Sequence, residues 1–223
     1  MFVNLVFNRY YEYNTMIIKQ IIVGSMAVCC YIAACEKTKK AAVIDPGGNE
    51  DEILDEVKKM GVSVEYIIAT HGHPDHVCGN RKIQQATGAK IIMHSADALF
   101  FGKPEVEKYF SMFGFEPSPA ADIEVEEGDI ITIGEEKFMV IHTPGHSPGG
   151  MCLYNAPHLI TGDTLFVGGL GRSDFPGGSP NELLNSIRTK LLVLPPETIV
   201  WPGHGYGGSQ STIGEEKRSN PFL

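Results

Sequence analysis

Thr70-His71-Gly72-His73-Pro74-Asp75-His76 is the densest chemical signal in the sequence: three histidines and an aspartate fall within six residues of a chain that holds 8 histidines in all. In an extended stretch, side chains two apart point to the same side, so His71 and His73 can grip one ion. The turn at Pro74 then aims Asp75 and His76 at a neighbouring point, and one short loop can serve two sites. A polar surface loop is the plain alternative, but it leaves this concentration of imidazoles unexplained. The apolar run Tyr66-Ile67-Ile68-Ala69 just before the cluster reads as a short buried strand. The histidines therefore stand in the loop at its C-terminal end.

Working outward, strand-like runs at 17–23, 28–35 and 41–45 end at the turn Asp45-Pro46-Gly47-Gly48. A helix follows over 50–60, with Asn49 as its cap, Glu50, Asp51 and Glu52 in its first turn, and Gly61 at its end. A further helix near 79–87, a strand at 90–94 and helical segments from 95 to 114, broken by Gly102 and Pro104, continue the pattern. Hairpins around Gly134 and around Asn155-Ala156-Pro157 come next. A helix over 180–194, a strand at 198–201 and a helix at 211–218 close the chain. Antiparallel hairpins mixed with helix–strand units predict an α/β sandwich, with two facing sheets and helices outside.

Three more polar segments each end a predicted strand or lie in the turn after it. They are His142-Thr143-Pro144-Gly145-His146, Thr161-Gly162-Asp163-Thr164 and Trp201-Pro202-Gly203-His204-Gly205. In this order and at roughly this spacing, HGHPDH, HTPGHSPGG, TGDTLF and PGHG resemble the metallo-β-lactamase superfamily, over about residues 17–223. The resemblance implies an αβ/βα sandwich of two mixed sheets. It also implies a first metal held by His71, His73 and His146, a second held by Asp75, His76 and His204, and Asp163 bridging the two. One or two zinc ions are expected, with iron or manganese as alternatives.

Within the superfamily, GRSDFPGG at 171–178 and STIGEEKRSNPFL at 211–223 resemble the short glyoxalase-II-like hydrolases. That relation implies hydrolysis of an S-acylglutathione thioester, with Arg172 and Tyr206 as contacts to the thiol carrier. Asp174 departs from the family pattern, which has an aromatic there, and no segment matches the family's extra helical domain. In the expected mechanism a metal-bound hydroxide attacks the thioester carbonyl, and Asp75 orients that water or accepts its proton. Persulfide dioxygenases are also similar to this chain, and His71, His146 and Asp163 would supply their two-histidine, one-carboxylate iron site. Lactonases share the same core.

Composition narrows the classes. The balance of 18 Lys+Arg against 27 Asp+Glu, a net charge of −9, argues against a broad nucleic-acid footprint and favours a small-molecule substrate. Five cysteines, odd in number and including an adjacent pair, read as reduced thiols of a cytoplasmic protein. Cys78, beside the histidines, reads as one of these and not as a ligand. The run from Met16 to Cys35 has the look of a lipoprotein signal, but Lys19, Gln20, Gly24 and Ser25 interrupt it. No membrane partner is expected, and a monomer or small homo-oligomer is. Residues 1–15 read as an N-terminal extension before a hydrolase domain at 16–223, with Met16 as an alternative start. His94 and His142 read as core histidines, His158 as a turn residue, and the glycines at 168, 169 and 171 as a flexible substrate loop.

Overall fold

The computed structural model describes residues 16–223. The expected extension at 1–15 lies outside the described residues. In chain order the elements begin with β1 (Met16–Val23), β2 (Val28–Cys35), β3 (Lys40–Ile44), α1 (Glu50–Met60) and β4 (Ser63–Ile68). Then come α2 (Pro74–Val77), α3 (Asn80–Thr87), β5 (Lys90–His94), α4 (Ser95–Phe101), α5 (Pro104–Ser111) and β6 (Ile123–Val125). The second half holds β7 (Ile130–Ile133), β8 (Glu136–His142), β9 (Met151–Asn155), β10 (His158–Gly162), β11 (Leu165–Phe166) and β12 (Gly169–Leu170). It closes with α6 (Pro180–Ser186), β13 (Ile199–Pro202), β14 (Ser211–Thr212) and α7 (Ile213–Ser219).

Two mixed sheets result, ordered β1-β2-β3-β4-β5-β6 and β14-β13-β10-β9-β8-β7. In the first, β1, β2 and β3 are antiparallel while β3 to β6 run parallel. In the second, only the β10–β13 pairing is parallel.

Strand alternation explains the layering. In β2, Cys29, Tyr31 and Ala33 enter the core between the sheets, where they meet Phe138, Val140, Leu153 and Ile160 of the second sheet. The alternate residues Cys30, Ile32 and Ala34 face outward and pack with Ile53 and Val57 of α1 and Ile83 of α3. On the opposite outer face, Cys152 and Tyr154 of β9 pack with Leu183 of α6 and with Ile187 and Leu191. Central strands covered on both faces read as unbroken apolar runs, which is why VCCYIAAC shows no polar alternation. The expected sandwich of two mixed sheets with outer helices is the observed architecture.

Local differences have local causes. Asn49 does not cap α1 through its side chain: it lies in the left-handed region (φ 51), and its Oδ1 accepts from the backbone of Gly24 at 3.1 Å. It ties the end of the first hairpin to the helix start. The helix expected over 180–194 is α-helical only to Ser186 and continues as a π-helical turn over Ile187–Leu191. The glycine-rich stretch at 168–171 is built as a hairpin, with β11 and β12 paired across a turn in which Gly168 takes φ +66.

Candidate metal centre

Every predicted ligand lies beyond the C-terminal end of a strand. His71 and His73 follow β4, and Asp75 and His76 ride on α2, which Pro74 opens. His146 follows β8, Asp163 follows β10, and His204 follows β13. Strands from both sheets thus deliver their loops to one rim, the usual place for a site in sheets with parallel strands. The two sheets are tied there by a hydrogen bond from Cys29 N to Gly203 O at 2.8 Å. Close packing makes two glycines obligatory: a Cβ on Gly72 would run into the ring of Phe101, and one on Gly203 into the Asp163 carboxylate.

The side chains fall into two groups. In the first, His146 Nε2 lies 2.8 Å from His73 Nδ1 and 3.2 Å from His71 Nε2. The three ring centroids are 4.5, 4.6 and 4.9 Å apart. In the second, His76 Nε2 and His204 Nε2 are 3.2 Å apart, with Asp75 Oδ2 at 3.8 and 3.6 Å from them. Asp163 stands between the groups. Its Oδ2 is 3.6 Å from His146 and 3.5 Å from His204, and its Oδ1 is 3.4 Å from His76.

A tetrahedral ion with metal–nitrogen bonds near 2.1 Å sets its ligand atoms about 3.4 Å apart, inside the 2.8 to 3.8 Å range found here. The donor set passes a second test: Asp163 Oδ1 is buried without a hydrogen-bond partner. Buried polar atoms normally find one, and a cation supplies it for the carboxylate. The residues fit two divalent metals.

Electrostatics points the same way. Burial holds His71 and His73 well below the ordinary histidine range, and mutual repulsion among the clustered rings adds to it. Neutral imidazoles with free lone pairs are the ligating form. His76 differs. Burial alone would lower it, but Asp163, Asp75 and Asp45 outweigh that and push it up to about 10. Burial would likewise raise Asp75, yet His76 and His204 hold its carboxyl well below the usual range. The Asp75 carboxylate therefore stays ionised, ready for a cation.

Supporting contacts fix the rings. His146 Nδ1 donates to Arg172 O at 2.6 Å, and His204 Nδ1 to Met26 O at 3.0 Å. Two aspartates that sequence patterning did not single out complete this frame. Asp45 accepts from Thr70 N at 2.8 Å and Thr70 Oγ1 at 2.7 Å, and pairs with His76 Nδ1 at 3.0 Å. Asp97, fully buried, accepts from Gly72 N and Ser147 Oγ at 2.8 Å and from Gly149 N at 2.5 Å. It clamps the first histidine loop to the loop bearing His146. Asp45 ends a strand before a turn, a position that could have drawn notice. Asp97 sits inside a helix and carried no such signal.

The remaining histidines stay outside. His94 and His142 stack at 3.9 Å, and His158 Nδ1 accepts from Trp201 Nε1 at 3.2 Å. Burial pushes the Cys78 thiol up to about 11, keeping it protonated, and it belongs to none of the candidate ligand clusters among the described residues.

A cleft of about 200 Å³ opens over both groups, and a second cavity of about 600 Å³ adjoins it. Arg172, Tyr206 and Phe166 border both. Tyr206 stacks flat on His204, with ring centroids 4.8 Å apart. Arg172 lies over Phe175 at 4.4 Å and forms a two-pronged pair with Asp174, at 2.9 and 2.8 Å.

The family profile of the metallo-beta-lactamase superfamily matches residues 25–204. The chain belongs to this superfamily. Among its relatives is hydroxyacylglutathione hydrolase GloC of Haemophilus influenzae, 38% identical over 189 residues, covering 83% of this chain and 88% of the relative. Among solved structures, the BLEG-1 B3 metallo-beta-lactamase superposes with a TM-score of 0.85 at 33% identity, covering 93% of this chain and 99% of that one. TTHA1623 in a di-iron-bound form gives a TM-score of 0.79 at 32% identity, covering 92% of this chain and all of that one (100%). The superfamily membership and the relatives named as hydrolases make this chain a hydrolase of the metallo-beta-lactamase fold. No helix among the described residues is long and apolar enough to cross a membrane.

Proposed function

We propose that the chain hydrolyses a small thioester carried on glutathione or a glutathione-like thiol. The observation that carries this reading is the juxtaposition of two complete ligand groups, sharing Asp163, with a solvent-open cleft whose rim holds Arg172 and Tyr206. The 38% identity to a hydroxyacylglutathione hydrolase supports it.

In this proposal His71, His73 and His146 hold one divalent ion, Asp75, His76 and His204 a second, and Asp163 reaches both. Two such ions would lower the pKa of a shared water toward about 7 and polarise a carbonyl. The chain's own residues do the rest. Asp75, partly open to the cleft, is placed to orient that water and to take its proton. The leaving thiolate, whose conjugate acid has a pKa near ~8.5, departs without a general acid. None is needed from the chain. Arg172 is placed to receive a carboxylate of the carrier in the planar, two-pronged manner it now uses for Asp174.

The test is metal analysis of purified protein, paired with turnover of S-lactoylglutathione, other glutathione thioesters and glutathione persulfide. Zinc, or two metals per chain, with thioester turnover supports the proposal. A single iron with oxygen-dependent consumption of the persulfide replaces it with a dioxygenase.

A further inference from the structure

The cleft differs in character on its two sides. Beside His204 it leads past Tyr206 and Arg172 into the larger cavity. Beside His73 it is walled by aromatic rings. Phe110 lies 5.2 Å from the His73 ring and Phe175 5.5 Å, both edge-on. Phe113 and Phe115 extend this wall into the cleft. Phe113 is 51% exposed and its neighbour Met112 73%, so the segment from α5 presents unpartnered apolar surface at the cleft mouth.

Charged groups in the cleft are few. Asp75 and Asp163 are acidic, and Arg172 is the cleft's one cation among the described residues. Its guanidinium is already occupied by Asp174 on its edge and Phe175 on its face. Beyond the ligand atoms and Arg172, whose guanidinium lies over Phe175, the aromatic wall offers no hydrogen-bonding side chain. A hydroxylated or charged acyl group placed there would lose water without recompense, whereas an apolar one gains from leaving water. The whole cleft measures about 200 Å³, and the aromatic wall forms one side of it.

We infer that the Phe110–Phe113–Phe115–Phe175 wall is an acyl-binding lobe, which selects thioesters whose acyl group is apolar over those whose acyl group is hydroxylated or charged. The inference rests on the thioester reading above and deepens it. The carrier thiol then lies toward Arg172, Tyr206 and the larger cavity.

The test has a kinetic and a binding arm. The metal-loaded enzyme should show kcat/KM for S-phenylacetylglutathione at least about tenfold above that for S-lactoylglutathione. Phe113→Ser, at a half-exposed site where folding is not at stake, should shrink that ratio by about fivefold or more. Independently of turnover, calorimetry should show phenylacetate binding the metal-loaded protein at least about tenfold more tightly than lactate, with Phe113→Ser erasing most of the difference. Phenylacetate preference without hydrolysis of any thioester keeps the lobe and overturns the thioester reading. Thioester hydrolysis at equal or lactoyl-favouring rates, with the two acids bound alike, overturns the lobe and leaves the thioester reading intact.

Discussion

At the scale of single residues, the candidate ligands are as informative for what holds them as for what they would hold. Asp97 touches no ligand atom, yet it receives three hydrogen bonds that join the loops of His73 and His146. Burial pushes its carboxyl up to about 6, against which those three donors pull down. A raised carboxyl favours the protonated form in the folded state. Its stabilisation is therefore complete below the unfolded value of 3.8 and is lost as pH rises through about 6. Activity should run the other way, because protonation removes an acceptor from the clamp. We expect an acid limb near pH 6 in wild type and none in Asp97→Asn, with metal affinity of the variant reduced about 10–100-fold at neutral pH. An unchanged pH profile and unchanged metal affinity, read by competition with a chelator, would remove Asp97 from the frame. Arg172 poses a different question, since its pairing with Asp174 is an alternative to carrier binding. Both partners are well exposed and the pair is screened by solvent, so a substrate carboxylate can displace Asp174 cheaply. Arg172→Ala should raise KM for glutathione thioesters with little change in kcat, and Asp174→Asn should lower KM. If both variants instead lower kcat equally for simple thioesters without glutathione, the pair only braces the loop.

At the scale of elements, the short β11–β12 hairpin matters beyond its size, because Phe166 lines both cavities and Val167 the larger one. Its position is set from the C-terminal helix. The buried Glu216 of α7 accepts from Gly168 N at 3.0 Å and from Asn220 Nδ2 at 2.8 Å, while Asn220 also donates to Gly169 O at 3.1 Å. Removing Glu216 would leave a hairpin N–H without its acceptor, a cost of about 1–3 kcal/mol. Glu216→Ala should lower Tm and raise KM while metal content stays at the wild-type level. Loss of metal along with stability would show that α7 supports the whole rim instead. Elements whose local cues agree, such as α1 with its acidic first turn and Gly61 stop, coincide with the span that those cues predict. The differences fall where a distant partner intervenes. Asn49 gives its side chain to Gly24, 25 residues away, and β14 exists only because Ser211 and Thr212 pair with Val200 and Ile199.

At the scale of the whole molecule, the site joins loops of two sheets, beside the Cys29–Gly203 backbone bond and the Asp97 clamp that also tie them. Seven ionisable side chains are packed there at ion-pair or hydrogen-bond distances. A ligand at about 1,000 times its dissociation constant adds about 4.1 kcal/mol, and for a chain of this size each kcal/mol moves Tm by about 2–4 °C. Chelation should accordingly lower Tm by roughly 8–16 °C, with recovery on adding zinc. Calorimetry showing no shift would mean that the groups hold no tightly bound metal. The sequence by itself determined the family, the two-sheet sandwich and the set of metal-site candidates, because histidines and acids gathered at strand ends have the chemistry and spacing of metal ligands and because apolar runs dictate buried strands. It marked Asp45 only by its place before a turn, and it could not reveal Asp97 or the Glu216 clamp: each is a common residue made special by burial and by partners far along the chain. The aromatic wall likewise consists of phenylalanines from α5, the loop after it and residue 175, which local patterning assigns to core or surface separately. Only tertiary packing sets them on one side of His73, since contact between segments some 60 residues apart leaves no periodicity to read.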